Sequence, residues 1–229
     1  MTYNELVEDI RRYMETDANV LSAPVINTFI LMTENKILRD IDLEVFRQSS
    51  VGNMTANTPY LRMPQGFPEG GDILTHRYML VRADNKQKYL EFRDVSFLKE
   101  YWESLTESDF PKYYAVWNQD TFFIAPTPDQ GYEVELGYIR KPAGLSPANQ
   151  TTWLSINAPE ALLYGCLVQA YSFTKGPIDM LGYFSTSYKE ALSGLGIEQQ
   201  GRRRRDEFRD GLIRTELLAS NPISPSEAK

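Results

Sequence analysis

The 229-residue chain is 42% hydrophobic and 12% aromatic and carries a net charge of −7. That balance excludes a disordered polymer and a generally basic nucleic-acid coat. One cysteine, Cys166, and one histidine, His76, exclude an intrachain disulfide and a zinc site built from cysteine and histidine ligands.

The first helix begins at MTYNELVEDI. Thr2 followed by Glu5 is a capping box, in which the hydroxyl and the carboxylate satisfy orphan amides reciprocally. Leu6, Ile10, Tyr13 and Met14 follow at helical spacing, an acidic amphipathic pattern unlike a signal peptide. Ser22 and Pro24 open a second helix. Its buried stripe is Ile26, Phe29, Ile30, Thr33, Ile37 and Ile41, with Glu34, Lys36, Arg39 and Asp40 on the other side.

From residue 51 the texture changes. SSVGNMTANTP and PQGFPEGGD read as loops. YLRMP, YMLVRA, YLEFR, KYYAVW, TFFIAPT and YEVELGYIR are short and rich in aromatic or β-branched residues, as strands are. Residues 112–126 read as a hairpin, and Tyr132, Val134, Leu136 and Tyr138 alternate as one buried strand face. VSFLKEYWESL, 95–105, reads as a short helix within this region.

Residues 141–157 read as a loop carrying Trp153. A third helix, capped by Asn157 and Glu160, carries Leu162, Leu163, Cys166, Leu167, Ala170 and Tyr171. Lys175-Gly176-Pro177 breaks it, because proline removes a helical hydrogen bond. Leu181, Phe184, Tyr188, Leu192 and Leu195 then mark a fourth helix.

These elements predict an α+β fold: a helical bundle from the N- and C-terminal parts, with an inserted antiparallel β-rich domain and an extended C-terminal tail. The expected divisions are 1–50 with 150–210 for the bundle, 51–149 for the β insertion, and 211–229 for the tail. No run of about 18 apolar residues predicts a membrane helix, and synthesis in the cytoplasm is expected.

Candidate chemistry is sparse. Cys166 lies on the apolar stripe of the third helix and reads as a small buried hydrophobe. His76 reads as an edge residue with no nucleophile motif beside it. Glu69 and Asp72, in FPEGGD, offer paired carboxylates on a loop and a remote hydrolase reading. No phosphate-cradling glycine motif occurs, and no cofactor or metal is expected. The tyrosines of 113–138 have flat faces that stack bases in other proteins, but their alternation along strands favours core packing or interface contact. The unusual feature is Arg202, Arg203, Arg204 and Arg205, followed at once by Asp206 and Glu207. On a helix, four successive arginines splay about 100° apart. Three readings remain: a solvated helix end, a docking point on an acidic protein, or a nucleic-acid contact. Beyond the block, Leu212, Ile213, Leu217, Leu218, Pro222 and Ile223 are the anchors of a tail that turns polar.

The ordered motifs carry a resemblance. They are E-N-K-I-L-R-D at 34–40, Y-Y-A-V-x(5)-F-F-I-A-P-T-P-D at 113–129 and Y-E-V-E-L-G-Y-I at 132–139. L-S-x(2)-N-x-T-x-W-L at 145–154 and A-P-E-A-L-L-Y-G at 158–165 follow. Over residues 1–195 the chain resembles the head-to-tail adaptor, or connector, proteins of short-tailed, kuravirus-like bacteriophages. It departs at Thr152-Trp153, where Asn-Trp is expected. The resemblance implies a non-enzymatic virion protein at the head–tail junction, assembled from the host cytoplasm. It implies a homo-oligomeric ring of about twelve copies, docked on the portal and receiving a nozzle or tail-tube protein. Genomic DNA passes through such a ring without sequence-specific binding, and no membrane is involved. The six tail anchors become expected portal contacts. The role of Arg202–Arg205 is not carried by the resemblance; position alone suggests docking on an acidic surface of the portal. The competing reading is a nucleic-acid-binding protein that uses those arginines.

Overall fold

The computed structural model describes residues 1–62, 73–104, 107–118 and 121–206, with side chains as far as Gln199. The chain divides into two compact units. One is Met1–Glu44 with the described part of 153–229; the other is Val45–Thr152.

In the first unit, α1 spans Tyr3–Tyr13. The backbone N–H of Glu5 donates to Thr2 Oγ1 at 3.3 Å, and that of Thr2 donates to Glu5 Oε2 at 2.7 Å. The capping box is therefore complete. Tyr3, Leu6, Val7 and Ile10 form the buried face of α1. Helix α2, Ala23–Asp40, starts at Ser22, whose side chain makes no cap bond, and buries Ile26, Phe29, Ile30, Thr33 and Ile37. Glu34 was expected on the outer side, yet it is buried at 5% exposure; it falls one residue from Thr33 on a stripe wide enough to enclose both.

A short helix, α4 (Trp153–Asn157), occupies part of the expected loop. Its last residue turns its side chain back on it, Asn157 Nδ2 donating to Trp153 O at 3.0 Å, so Asn157 does not cap α5. Helix α5, Pro159–Thr174, follows from Ala158. It ends at Lys175, which is left-handed with φ 53°, and Gly176 N–H donates to Tyr171 O at 3.0 Å. This closes the helix before Pro177. Helix α6 then runs Ile178–Asp206, 29 residues and about 43 Å long.

Helix α5 packs on α1, α2 and α6 and buries Ala161, Leu162, Gly165, Cys166, Leu167 and Ala170. Gly165 makes the close approach possible. A Cβ there would fall inside contact distance of Thr33 Cγ2 on α2 and 3.0 Å from Tyr188 Cε2 on α6.

The second unit holds one sheet of seven strands in the order β1-β7-β3-β4-β5-β6-β2. They are β1 (Arg47–Met54), β2 (Tyr60–Arg62), β3 (Ile73–Ala83), β4 (Lys86–Phe92), β5 (Tyr113–Asn118), β6 (Thr121–Ala125) and β7 (Tyr132–Arg140). Asp84 and Asn85, both at positive φ, join β3 to β4 as a two-residue turn of the type that matches strand twist. Five pairings are antiparallel, but β4 and β5 run parallel, with Glu91 opposite Tyr113 and Phe92 opposite Tyr114. A parallel pair needs a crossover, and residues 93–112 supply it, including helix α3 (Val95–Tyr101). One face of the sheet encloses Met54, Met79, Val81, Leu90, Tyr114, Phe122, Ile124, Tyr132, Val134, Leu136 and Tyr138. Helix α3 covers part of the other face, where Leu98, Ala115, Phe123 and Ala125 form a second cluster.

The expected fold class therefore needs correction. In place of a helical bundle with an inserted antiparallel domain, the described residues form six α-helices and one mixed seven-stranded sheet, curled into a nearly closed barrel, with 44% helix and 28% strand. Two local features produce the difference. SSVGNM, expected as loop, is most of β1 and pairs with β7 along its whole length. The link between β4 and β5 crosses over, so those two strands lie parallel. The expected extended tail, 211–229, lies outside the described residues.

Candidate functional site

The sequence candidates for chemistry separate cleanly. His76 sits on β3 with its ring 4.6 Å from that of Phe92, 5.7 Å from Tyr114 and 6.0 Å from Phe122. Burial lowers its pKa from the ordinary histidine value, and the charge of Arg77 lowers it further. A neutral ring among aromatics is a packing element. Cys166 is fully buried on α5, and burial pushes its thiol up to about 12. It is neither a thiolate nor accessible at neutral pH.

Among the tyrosines of 113–138, Tyr114, Tyr132 and Tyr138 point inward and are at most 5% exposed. They are core residues, not a base-stacking platform. Glu69 and Asp72 lie outside the described residues. Among the described residues, no group of three histidines, cysteines or carboxylates is placed to hold a metal ion, and no helix is long and apolar enough to cross a membrane.

Arg202–Arg205 lie on the last turns of α6 by their backbone; their side chains are outside the described residues. Leu212, Ile213, Leu217, Leu218, Pro222 and Ile223 are outside as well.

Two surfaces stand out, one outside the sequence reading and one foreshadowed by the interface contact expected of the β-region aromatics. The first is an open groove of about 710 Å³ between the start of α5 and the middle of α6. Its small residues include Ala158, Ala161, Ala191 and Gly194, and its exposed side chains include Tyr183, Glu160, Glu190 and Glu198. No lysine or arginine is among its described lining residues. The signal was present: Glu190, Ala191, Gly194, Leu195 and Glu198 recur at spacings of one, three and four on one helical face.

The second is an aromatic ridge over α3, β5, β6 and β2. Tyr101 lies 4.9 Å from Tyr113, and Phe97 5.4 Å from Tyr113. Trp117 lies 5.5 Å from Tyr60, and Lys99 Nζ sits 4.7 Å above the Trp117 ring. Tyr60, Phe97, Tyr101 and Trp117 are all about two-fifths exposed. Surfaces of this kind are contact surfaces before they are catalytic ones: they offer apolar area and cations, and no nucleophile paired with a base.

The model of a protein family described as SU10 adaptor protein matches residues 1–214. No curated protein matches the chain. The family match extends beyond the motifs read from sequence, through the arginine block to Arg214.

Proposed function

The chain belongs to the SU10 adaptor protein family and is a phage adaptor protein, and from that premise we propose that it works as a ring at the head–tail junction of a short-tailed, kuravirus-like phage. In this reading about twelve copies close into a ring, dock on the portal and receive a nozzle or tail-tube protein. The chain catalyses no reaction and recruits no cofactor. It folds in the host cytoplasm before joining the virion.

The family match over nearly the whole chain carries this reading. The physical chemistry supports it. A closed ring needs two different lateral surfaces on each subunit, and each unit here exposes one candidate, the groove and the aromatic ridge. The net charge of −7 suits a wall past which DNA slides without being gripped. Leu212, Ile213, Leu217, Leu218 and Ile223, with Pro222 between them, supply apolar anchors for the portal. Arg202–Arg205 lie just before these anchors and engage an acidic protein surface at the same junction. Asp206, Glu207 and Asp210 weaken the block toward a polyanion, while a protein partner matches both signs.

The test is a titration of wild type and of the variant with all four arginines changed to alanine, against isolated DNA-free portal and against free DNA, at 50 and 200 mM salt. The expected result is weak DNA binding and slower association of the variant with portal. Binding to DNA alone, falling about 150-fold between the two salts as about four phosphate contacts require, would overturn the reading in favour of a nucleic-acid-binding protein.

A further inference from the structure

We infer that the outer face of α2 from a second copy of the chain seats in the groove between α5 and α6. The inference rests on the proposed ring and gives it one lateral contact. The aromatic ridge belongs to the other unit and takes no part in it.

Helix α2 carries apolar side chains on two sides. Its buried stripe, Ile26, Phe29, Ile30, Thr33 and Ile37, packs it on α5. At about 100° per residue, Thr28, Leu31, Met32 and Arg39 fall on the opposite side. Leu31 is 54% exposed and Met32 52%. Two long apolar side chains side by side in water gain by being covered. Arg39 is exposed beside them and enters none of the described ion pairs.

The groove has the complementary character. Glu160 and Glu190 are exposed in it, and neither enters a described ion pair. No lysine or arginine is among its described lining residues, and Tyr183 on its α6 wall is 59% exposed. Ala191 and Gly194 keep that wall low, as a groove that receives a helix requires.

The spacing matches as well. Met32 and Arg39 are seven residues apart on α2, and Tyr183 and Glu190 are seven apart on α6. Seven residues are two turns, about 10.5 Å along a helix. Laid parallel, the two helices bring the Met32 thioether against the Tyr183 ring and the Arg39 guanidinium against the Glu190 carboxylate at once.

The contact is intermolecular. Within one chain α2 is held on α5 with Leu31 and Met32 turned away from it, while the start of α5 forms a wall of the groove. Helix α2 therefore cannot fill the groove of its own chain. The two faces are different surfaces of one unit, so the contact is heterologous and propagates from copy to copy, as a ring requires.

The experiment uses the full chain with Asn35→Cys and Ser187→Cys together, which lie between the two matched pairs and leave both intact. The variant is oxidised on isolated portal; native Cys166 is buried and stays out of the reaction. The contact yields a ladder of trimers and larger products, whereas each single variant goes no further than dimer. Arg39→Glu in the double-cysteine background should cut the ladder about tenfold, because like charges then meet at the interface. Adding Glu190→Arg should restore it, and that restoration separates a lost contact from a damaged fold. Products no larger than dimer, a ladder indifferent to Arg39→Glu, or a loss that Glu190→Arg leaves unrestored would each overturn the inference. Light scattering of the wild type with portal separates the two claims. A ring that forms without the 35–187 link ends this contact and leaves the ring standing. Neither ring nor link ends both.

Discussion

His76 is the protein's only histidine, and its environment turns it into a readout of barrel packing. Burial among Phe92, Tyr114 and Phe122 lowers its folded-state pKa below the 6.5 of the free side chain. The unfolded chain then binds the proton more readily, so stability rises with pH through this region. The contribution is complete above the unfolded value and is lost as pH falls below about 6.5 toward the depressed folded value. Thermal unfolding at pH 5 and pH 7.5 should show a smaller acid loss in His76→Gln than in wild type. An equal loss in both would place the acid sensitivity elsewhere. The sequence showed that His76 lacks a nucleophile motif, but not that its ring is enclosed, because the enclosing rings come from β4, β5 and β6. Cys166 was legible for the opposite reason: its burial follows from the local apolar stripe of one helix.

At the scale of elements, what local grammar encodes was legible and what pairing decides was not. The capping box of α1, the stop at Lys175 and the alternation of β7 each depend on a few neighbouring residues. Strand β1 is polar and mostly exposed on a sheet edge, so it lacks the apolar alternation that announces a strand. Whether β4 meets β5 parallel or antiparallel is a property of the link between them, not of either strand. Gly165 shows the same limit within the helices. Its neighbours on α5 predict a buried face, but only the packed structure reveals that Thr33 and Tyr188 press against it from two other helices. Gly165→Ala places a methyl where those side chains stand. The helix-propensity gain is about 1 kcal/mol and the overpacking penalty about 1–3 kcal/mol, and with two partners already buried the penalty prevails. Urea unfolding should show a lower midpoint with an unchanged m-value. A raised midpoint would mean that α2 and α6 yield easily and that the contact is looser than its geometry indicates.

For the molecule as a whole, the proposed ring depends on exposed surfaces such as the groove and the aromatic ridge. The assignment as a phage adaptor was legible because it rests on the order and spacing of several weak motifs over most of the chain. The acidic groove was legible only on its α6 side, because the rest of its lining comes from the start of α5 and only folding brings the two together. Neither α1 nor α2 carries the long heptad seam of a self-sufficient oligomer, so neighbours should close fully only when the portal holds them near one another, at high effective concentration. The direct measurement is the mass of the purified full chain by light scattering, first alone at low micromolar concentration and then with isolated portal. The account predicts a largely monomeric chain alone and, on the portal, a stoichiometric ring. A stable ring without portal would contradict the partner-dependent assembly, and a chain that remains monomeric in the presence of portal would contradict the adaptor ring itself.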